Sequence, residues 1–357
     1  MPEVIHSGAD FATRVVRWQQ THGRNDLPWQ NTRDPYRVWL SEIMLQQTQV
    51  VTVKAYFARF LESFPTVAAL ADASEDAVLG LWSGLGYYSR ARNLHRCAQH
   101  VMQRHGGAFP RDALTLATLP GIGPSTAAAI ASLCFSERVA ILDANVRRVV
   151  TRVQGFDADV AVAANARALW DAAASLLPSP ERAPQDMARY TQGMMDLGAM
   201  VCTPRKPLCA ECPVHTDCAA KAQGDPQRYP VRSRKLKRSS QGIWLLWAQT
   251  AAGEVWLHRR PSPGVWGGLY CLPLFDSEAD LRHGLTTEAN ARLLCEPPFT
   301  HVLTHKDLFL HACRVTLAQD TSLGDGRWVS AAQWPGLGLP APIRKLLASA
   351  HPSPGAA

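Results

Sequence analysis

The stretch LATLPGIGPSTAAAIASL, residues 116–133, carries the strongest fold signal in this chain. Its apolar spacing predicts two helices, and the Leu-Pro-Gly-Ile-Gly segment between them predicts a tight turn. Pro120 ends the first helix, while Gly121 and Gly123 allow positive φ angles and close backbone approach. Pro124 suits the start of the second helix, whose unpaired amides can bind a phosphate oxygen. With Thr-Ala following, the turn is typical of hairpins that bind DNA without reading its sequence.

Helical periodicity continues on both sides of this hairpin, up to about residue 220. Beyond residue 242, IWLLWAQTAAGEVWLHRR predicts two strands, LFLHACRVTL predicts another, and APIRKLLASA predicts a closing helix. The expected fold class is therefore multidomain. An all-α domain spans 1–230, an α+β domain spans 242–350, and a disordered tail covers 351–357.

The 357 residues carry a formal net charge of +7, which favours an anionic partner. Residues 231–241 form a basic linker without acidic residues, and its cations are Arg232, Arg234, Lys235, Lys237 and Arg238. The linker is either a solvated connector or a segment that lies along phosphates. The chain has no apolar run long enough for a membrane span and no signal-peptide layout at its start, so we expect a cytoplasmic protein.

Four cysteines lie within 17 residues in the spacing C-x6-C-x2-C-x5-C, namely Cys202, Cys209, Cys212 and Cys218. One loop can wrap such a set around a single metal centre. Only one pair is closely spaced, which favours an iron–sulfur cluster over zinc. The other five cysteines are scattered and are expected to be small core residues: Cys97, Cys134, Cys271, Cys295 and Cys313.

Two carboxylates are candidates for acid–base chemistry. In the helix predicted to start at Asp34-Pro35, Glu42 shares a face with Gln46 and Gln49 and has apolar neighbours. Enclosure by these neighbours would raise the pKa of Glu42, as suits a general acid, whereas an exposed position would leave it an ordinary surface glutamate.

The second candidate is Asp143, which follows the strand-like VAILD and precedes a helical segment. It is either only an N-cap or a carboxylate that helix amides keep ionised toward a developing positive charge. At ~4 Å and an effective dielectric constant of ~20, that attraction is on the order of 4 kcal/mol. One protonated and one ionised carboxyl group together can break a glycosidic bond.

Together these features resemble the helix–hairpin–helix DNA glycosylases with an iron–sulfur loop, and most closely the adenine DNA glycosylases of the MutY type. The matching segments are LPWQNTRDPYRVWLSEIMLQQTQV, GLGYYSRARNL, LPGIGPSTA, ILDANVRRV, MMDLGAMVC and WGGLYCLP. The resemblance implies one 4Fe-4S cluster and a monomeric, monofunctional enzyme that starts base excision repair. Its substrate would be duplex DNA in which adenine is mispaired with 8-oxoguanine or guanine. Nucleoid association and docking of downstream repair proteins are also implied.

The resemblance also implies roles for individual residues. Glu42 would protonate adenine and help to activate water, Asp143 would stabilise the sugar cation, and Asn145 would orient the site. The implied adenine pocket comprises Leu27, Trp29, Gln192 and Met195. The implied DNA-binding residues are Leu45, Gln47, Thr48, Tyr87, Gly121, Gly123, Ser125, Thr304 and His305.

The C-terminal part resembles a Nudix-like domain that reads the oxidised guanine. Residues 242–357 lack the acidic box with which Nudix hydrolases hold Mg²⁺, so we expect a recognition module. Leu303-Thr304-His305 stands where relatives often carry Phe-Ser-His. Threonine keeps the hydroxyl group that would contact the base, but the aromatic side chain is lost.

Two other functions are compatible with parts of the pattern. An endonuclease III-type glycosylase that cleaves the strand would need a lysine in the hairpin, where this chain has Ser125. A non-catalytic DNA-binding or electron-transfer protein could use the same cysteine cluster. Such a non-catalytic protein would have no use for Glu42 and Asp143 as an acid–base pair.

Overall fold

The computed structural model describes residues 8–30, 32–233, 238–261 and 263–350. Most of the linker's cations, within 234–237, and the predicted tail, 351–357, lie outside the described residues. Packing divides the described chain into two compact units. The first comprises residues 8–71 and 96–233, and the second comprises residues 72–95 and 238–350. Within the described ranges, no helix is both long enough and apolar enough to cross a membrane.

The helices before residue 230 are α1 (Gly8–His22), α2 (Pro35–Leu45), α3 (Val50–Ser63), α4 (Val67–Asp72), α5 (Glu75–Trp82), α6 (Ser89–His105), α7 (Ala113–Leu116), α8 (Pro124–Phe135), α9 (Ala144–Gln154), α10 (Ala164–Ala174), α11 (Ala183–Asp196) and α12 (Ala219–Ala222). A π-helical turn follows α11 at Leu197–Val201, and single 3-10 turns lie at Cys209–Glu211, His215–Asp217 and Pro226–Arg228.

The later elements are β1 (Ser239–Gln249), β2 (Val255–Arg259), β3 (Tyr270–Cys271), β4 (Leu274–Phe275), α13 (Glu278–His283), α14 (Thr287–Ala291), β5 (Leu294–Cys295), β6 (Phe299–Val302), β7 (Lys306–Thr316), β8 (Arg327–Val329), a 3-10 turn (Trp334–Gly336) and α15 (Ala341–Ala350).

The hairpin of the first unit is formed by α7, α8 and the turn between them. Gly121 has φ +75°, as the sequence predicts for a tight turn. Gly123 differs from the prediction, because its φ of −83° is open to any residue. It serves instead as the N-cap of α8, with Pro124 at the first position of the helix.

Two local predictions around the carboxylates are wrong. Helix α2 ends at Leu45, and Gln49 is the N-cap of α3, so Gln49 does not share a helix face with Glu42. The VAILD segment, 139–143, is an irregular connection and pairs with no described strand. Short apolar runs do not distinguish a strand from a buried loop, because both place apolar side chains in the core.

The second unit is built on a mixed sheet with the strand order β3-β2-β1-β7-β5. Its centre is a parallel ladder in which β1, from Ser239 to Gln249, pairs along its whole length with β7. The predicted pair of strands across the Ala-Ala-Gly turn is confirmed, since β1 and β2 pair antiparallel at Gln249 and Val255. The predicted last helix is α15, which packs Ile343 and Leu347 into the apolar core.

Residues 72–95 pack in the second unit, although the sequence prediction placed them in the helical domain of 1–230. Their side chains bond to residues far along the chain. The hydroxyl groups of Ser83 and Tyr88 donate to the Leu339 carbonyl at 3.0 and 2.6 Å, and Glu75 pairs with Arg259 at 2.6 Å. Helical periodicity shows that α5 is a helix but carries no information about which core it joins.

The scattered cysteines fall into two groups. Cys97, Cys134 and Cys271 are buried thiols, as expected for small core residues. Cys295 is exposed and forms a disulfide with buried Cys313, which corrects the prediction for this pair. The two residues lie directly opposite each other on antiparallel strands β5 and β7, a proximity that sequence spacing does not show.

We predict that Gly155→Ala destabilises the first unit more than Gly224→Ala. Gly155 ends α9 with φ +62°, and a Cβ atom there would lie 3.0 Å from Cβ of Ala219. Gly224 has φ +73° with open space around it, so it is a matched control for the backbone strain alone. We expect a loss of ~1 kcal/mol for Gly224→Ala and about twice that for Gly155→Ala in urea unfolding. Equal losses would show that the Ala219 contact is unimportant.

Candidate active site

Glu42 lies on the wall of a cavity of about 450 Å³ in the first unit. Helix α2 begins as predicted. The side chain of Asp34 caps it by accepting a hydrogen bond from the Tyr36 amide at 2.9 Å, and Pro35 is its first residue. The residues on either side of Glu42, Ser41 and Ile43, are buried. Two predicted adenine-pocket residues, Trp29 and Gln192, line the same cavity. Its size suits a nucleobase with its sugar.

Burial and the charge of Asp143 raise the pKa of Glu42 to about 7. Burial is the larger cause, because a partly enclosed carboxylate loses hydration that the protonated form does not need. Glu42 therefore holds a proton below neutral pH, as the sequence prediction of a general acid requires.

Asp143 is the N-cap of α9, and its side chain accepts a hydrogen bond from the Val146 amide at 2.7 Å. The sequence prediction was that helix amides keep this carboxylate ionised. In the structure the pKa of Asp143 is raised, because burial outweighs the opposing effects of the Val146 amide and of Arg148. The predicted cap is thus present, together with a desolvation that the sequence did not reveal.

Helix α9 connects Asp143 to the cysteine loop. Arg148 donates to Oδ1 of Asn145 at 2.9 Å and to the carbonyl oxygens of Gly198 and Cys202 at 2.6 and 2.7 Å. One turn further, Arg152 donates to Sγ of Cys202 at 3.3 Å. Asn145 therefore lies between the cap of the helix and the start of the loop.

The four predicted cluster ligands are free thiols that line one cavity, together with apolar side chains. Burial raises the pKa of Cys202, Cys212 and Cys218, so a bound metal centre is needed to keep these groups as thiolates. In the described part of the chain, no three His, Cys, Asp or Glu side chains are close enough to hold a single metal ion. Four thiols that line one cavity fit a multi-iron cluster, whose iron atoms lie between the cysteine ligands.

The predicted adenine pocket is only partly assembled around the cavity. Leu27 is buried, and Met195 packs against a buried apolar cluster of the first unit. Neither residue lines the cavity with Trp29 and Gln192. Sequence reasoning missed Asp196, which is fully buried and bonds to Gln192. The sequence did contain a signal for this residue, because a charged side chain is unusual in an apolar segment such as MMDLGAMVC.

Ser125 ties the hairpin to the segment that leads to Asp143, because its Oγ accepts a hydrogen bond from the Leu142 amide at 3.1 Å. Gly121 and Gly123 are exposed on the hairpin turn. A Cβ atom built on Gly123 would meet nothing within 4 Å, so the space beside this helix N-terminus is open to a ligand.

Three predicted DNA-binding residues follow each other at the end of α2. Leu45 is its last residue, Thr48 is half-buried, and Gln47 is exposed with φ +58°. A left-handed backbone is unfavourable for glutamine, and such strain concentrates at functional sites.

A second cavity, of about 800 Å³, lies within the second unit and contains three predicted residues, Tyr87, Thr304 and His305. The hydroxyl groups of Tyr87 and Thr304 are hydrogen-bonded at 2.5 Å. Tyr87 has φ +49°, and Trp266, with φ +59°, lines the same cavity. Sequence reasoning missed Trp266, although it lies in the quoted motif WGGLYCLP.

Two arginines hold the turns that carry these hydroxyl groups. Arg90 donates to the carbonyl oxygens of Leu85 and Gly86 at 3.2 and 3.3 Å. Arg238 donates to the carbonyls of Leu303 and Thr304 at 3.2 and 3.3 Å and pairs with Asp307. Arg238 was predicted as one of the linker's cations, but its guanidinium is already engaged inside the second unit.

Comparisons with known proteins agree with this arrangement. A family described as "HhH-GPD superfamily base excision DNA repair protein" matches residues 40–173. The iron–sulfur binding domain of endonuclease III matches residues 202–218, and the NUDIX domain matches residues 242–349. The prediction of a 4Fe-4S centre held by Cys202, Cys209, Cys212 and Cys218 is thus confirmed.

Similar curated proteins are adenine DNA glycosylases. The one from Buchnera aphidicola subsp. Acyrthosiphon pisum is 33% identical over 343 residues, covering 94% of this chain and 96% of its own. The human one is 42% identical over 227 residues, covering 61% of this chain and 40% of its own.

Two solved structures share the helical fold. A thermostable thymine-DNA glycosylase matches 61% of this chain and 97% of its own with TM-score 0.54 and 29% identity. A trapped endonuclease III–DNA covalent intermediate matches 62% and 99% with TM-score 0.50, and at 18% identity it shows the fold alone.

We predict that Glu42→Gln stabilises the protein at pH 8 but not at pH 4.5. The pKa of Glu42 rises from an ordinary value of 4.5 to about 7 in the folded state, so folded wild type loses stability as pH rises between these values. Glutamine carries no charge, and the gain at pH 8 should approach ~3 kcal/mol.

Urea unfolding of both proteins at the two pH values measures this difference. Glu62→Gln, at an exposed position of α3, is the matched control and should show no such pH-dependent gain. Equal or lower stability of Glu42→Gln at pH 8 would mean that the Glu42 charge is well solvated in the folded state.

Proposed function

The chain belongs to the adenine DNA glycosylases of base excision repair, which are hydrolases, and we propose that it removes adenine paired with 8-oxoguanine or guanine in duplex DNA. The catalytic role of Glu42 rests on one observation. Glu42, whose pKa is raised to about 7, lines the same cavity as the predicted base-pocket residues Trp29 and Gln192.

Glu42 supplies the proton that makes adenine a leaving group. In the protonated state it donates to N7 of the base while the bond between C1′ and N9 breaks, and the bonding electron pair leaves with the adenine. The resulting carboxylate then accepts a proton from the water that adds to C1′. Protons and electrons balance, and Glu42 acts first as acid and then as base.

Asp143 stabilises the positive charge that develops on the sugar. Its carboxylate is held in one orientation by the Val146 amide, and an anion fixed in a site of low dielectric needs little reorganisation during the reaction. Burial raises the pKa of Asp143, and the same lack of hydration makes its ionised form attract a cation more strongly than a solvated carboxylate does. Asn145 acts as a positioning residue through Arg148.

The iron–sulfur cluster would be held by the four cysteines of 202–218, where it supplies thiolate–iron bonds that close the loop. Arg148 and Arg152 join this loop to α9 and therefore to Asp143. The residues of the chain thus make the position of the catalytic carboxylate depend on a folded loop.

Duplex DNA binding follows from family membership, and the exposed hairpin fits it. We propose that the free amides at the start of α8 bind a backbone phosphate where Gly123 leaves room. From the family resemblance, Gln47 and Tyr87 would each enter the DNA helix around the oxidised guanine, and Leu45 and Thr48 would contact the DNA near Gln47. We further propose that the enzyme acts as a monomer on nucleoid DNA in the cytoplasm and hands its product to other repair proteins.

The cavity of the second unit is our candidate for reading the oxidised guanine. Tyr87 and Thr304 present adjacent hydroxyl groups there, and His305 lines the same cavity. Hydroxyl groups can both donate and accept, which suits a base altered at N7 and C8. Without an acidic Mg²⁺ box, this Nudix-type domain would act in recognition.

Strand cleavage by the enzyme itself is not expected. Ser125 occupies the hairpin position where a lyase carries its lysine, and the serine hydroxyl is engaged with the Leu142 amide. A serine cannot form the imine with the sugar that β-elimination requires.

We predict that wild type releases adenine opposite 8-oxoguanine in a single-turnover assay and that the strand breaks only after alkali. Glu42→Gln and Asp143→Asn should each lower the rate on the order of 10²-fold or more while still binding the duplex. The wild-type rate should fall as pH rises through about 7, because Glu42 then loses its proton. Scission without alkali, or release by Glu42→Gln at the wild-type rate, would refute the mechanism.

We predict that Thr304→Ala lowers the preference for 8-oxoguanine over guanine by about fivefold, because one hydrogen bond to the oxidised base is lost. Thr304→Ser keeps the hydroxyl group and is the matched control, which should retain the preference. The measurement is the ratio of single-turnover rates on the two mispairs. An equal loss on both substrates would mean that Thr304 supports folding only.

A further inference from the structure

The last residue of α11, Asp196, is a fully buried carboxylate that the mechanism above does not use. Its Oδ2 accepts a hydrogen bond from the Arg24 amide at 3.0 Å. Its Oδ1 accepts one from Nε of Arg24 at 2.7 Å and one from Nε2 of Gln192 at 3.0 Å. A buried carboxylate persists where a cation and hydrogen-bond donors compensate its lost hydration, and these contacts provide both.

The hydrogen bond between Asp196 and Gln192 can form in only one orientation of the Gln192 amide. A carboxylate paired with a guanidinium only accepts hydrogen bonds, whereas a glutamine amide donates at one end and accepts at the other. Gln192 must therefore turn its NH2 group toward Asp196. Its carbonyl oxygen is then the end that can accept from a molecule in the cavity, whose wall Gln192 shares with Glu42 and Trp29.

We propose that Asp196 is a positioning residue that fixes the orientation of the Gln192 amide and thereby makes the cavity select a base with an exocyclic amine. Adenine carries such an amine at C6, where hypoxanthine carries a carbonyl oxygen. An oxygen facing the Gln192 carbonyl would leave two buried acceptors without a donor, a costly arrangement. The inference rests on the proposed function, since it requires adenine to enter this cavity.

The experiment compares single-turnover release of adenine and of hypoxanthine, each placed opposite 8-oxoguanine in the same duplex. In Asp196→Asn the side chain can both donate and accept, so it no longer dictates the orientation of Gln192. We expect the adenine-to-hypoxanthine ratio to fall by about tenfold. Gln192→Leu removes the amide and should lower the ratio at least as much.

Arg24→Met is the matched control, because it removes the ion pair but leaves a carboxylate that can only accept. It should lower the free energy of unfolding and keep the wild-type ratio. A ratio that falls equally in Arg24→Met and Asp196→Asn would show a purely structural role and overturn the inference. If Asp196→Asn alone does not fold, the double variant with Arg24→Met removes the stranded cation and must show the same fall.

The role of Asp196 and the role of Gln192 can be refuted separately. An unchanged ratio in Asp196→Asn, combined with a reduced ratio in Gln192→Leu, would refute the role of Asp196 and leave Gln192 as a reader of the base. An unchanged ratio in Gln192→Leu would refute the assignment of this cavity to adenine, and the role of Asp196 with it.

Discussion

The start of α9 is the constraint on which the first unit depends. Asp143 caps the helix through the Val146 amide, and the same helix carries Arg148 and Arg152 on its later turns. These arginines bind the beginning of the cysteine loop at Cys202. One helix therefore connects the fold of the loop to the carboxylate that we propose faces the sugar. In the proposed mechanism the cluster ligands would position this carboxylate, although they lie outside the cavity that we propose for the base.

One folded unit encloses both candidate carboxyl groups, Glu42 and Asp143. Burial raises the pKa of both, since each loses water. Asp143 recovers part of this loss from a helix amide and from the positive charge of Arg148, whereas the charge of Asp143 adds to the rise at Glu42. This difference supports our proposal that Glu42 acts as the acid. The burial that keeps Glu42 protonated also lowers the stability of the folded protein, as is common where an active site is preorganised.

The second unit brings together residues that are far apart in sequence. Tyr87 and Thr304 are separated by 217 positions, yet their hydroxyl groups touch because residues 72–95 pack with the C-terminal sheet. Each lies on a turn whose carbonyl groups bind an arginine, Arg90 for one and Arg238 for the other. A guanidinium presents several donors in a fixed plane, so it can hold a turn more rigidly than an ammonium group can.

The sequence by itself determined the hairpin, the cysteine ligands and the two candidate carboxylates, because these depend on local signals such as caps, turn residues and close spacing. It also predicted the change from helices to a sheet near residue 242. Only the tertiary structure decided that residues 72–95 join the second unit, that Cys295 meets Cys313, and that Asp196 lies behind Gln192. It also showed that burial outweighs the helix amides in setting the pKa of Asp143. Each of these results depends on contacts between distant segments and on how much water they exclude, and neither quantity is contained in local spacing.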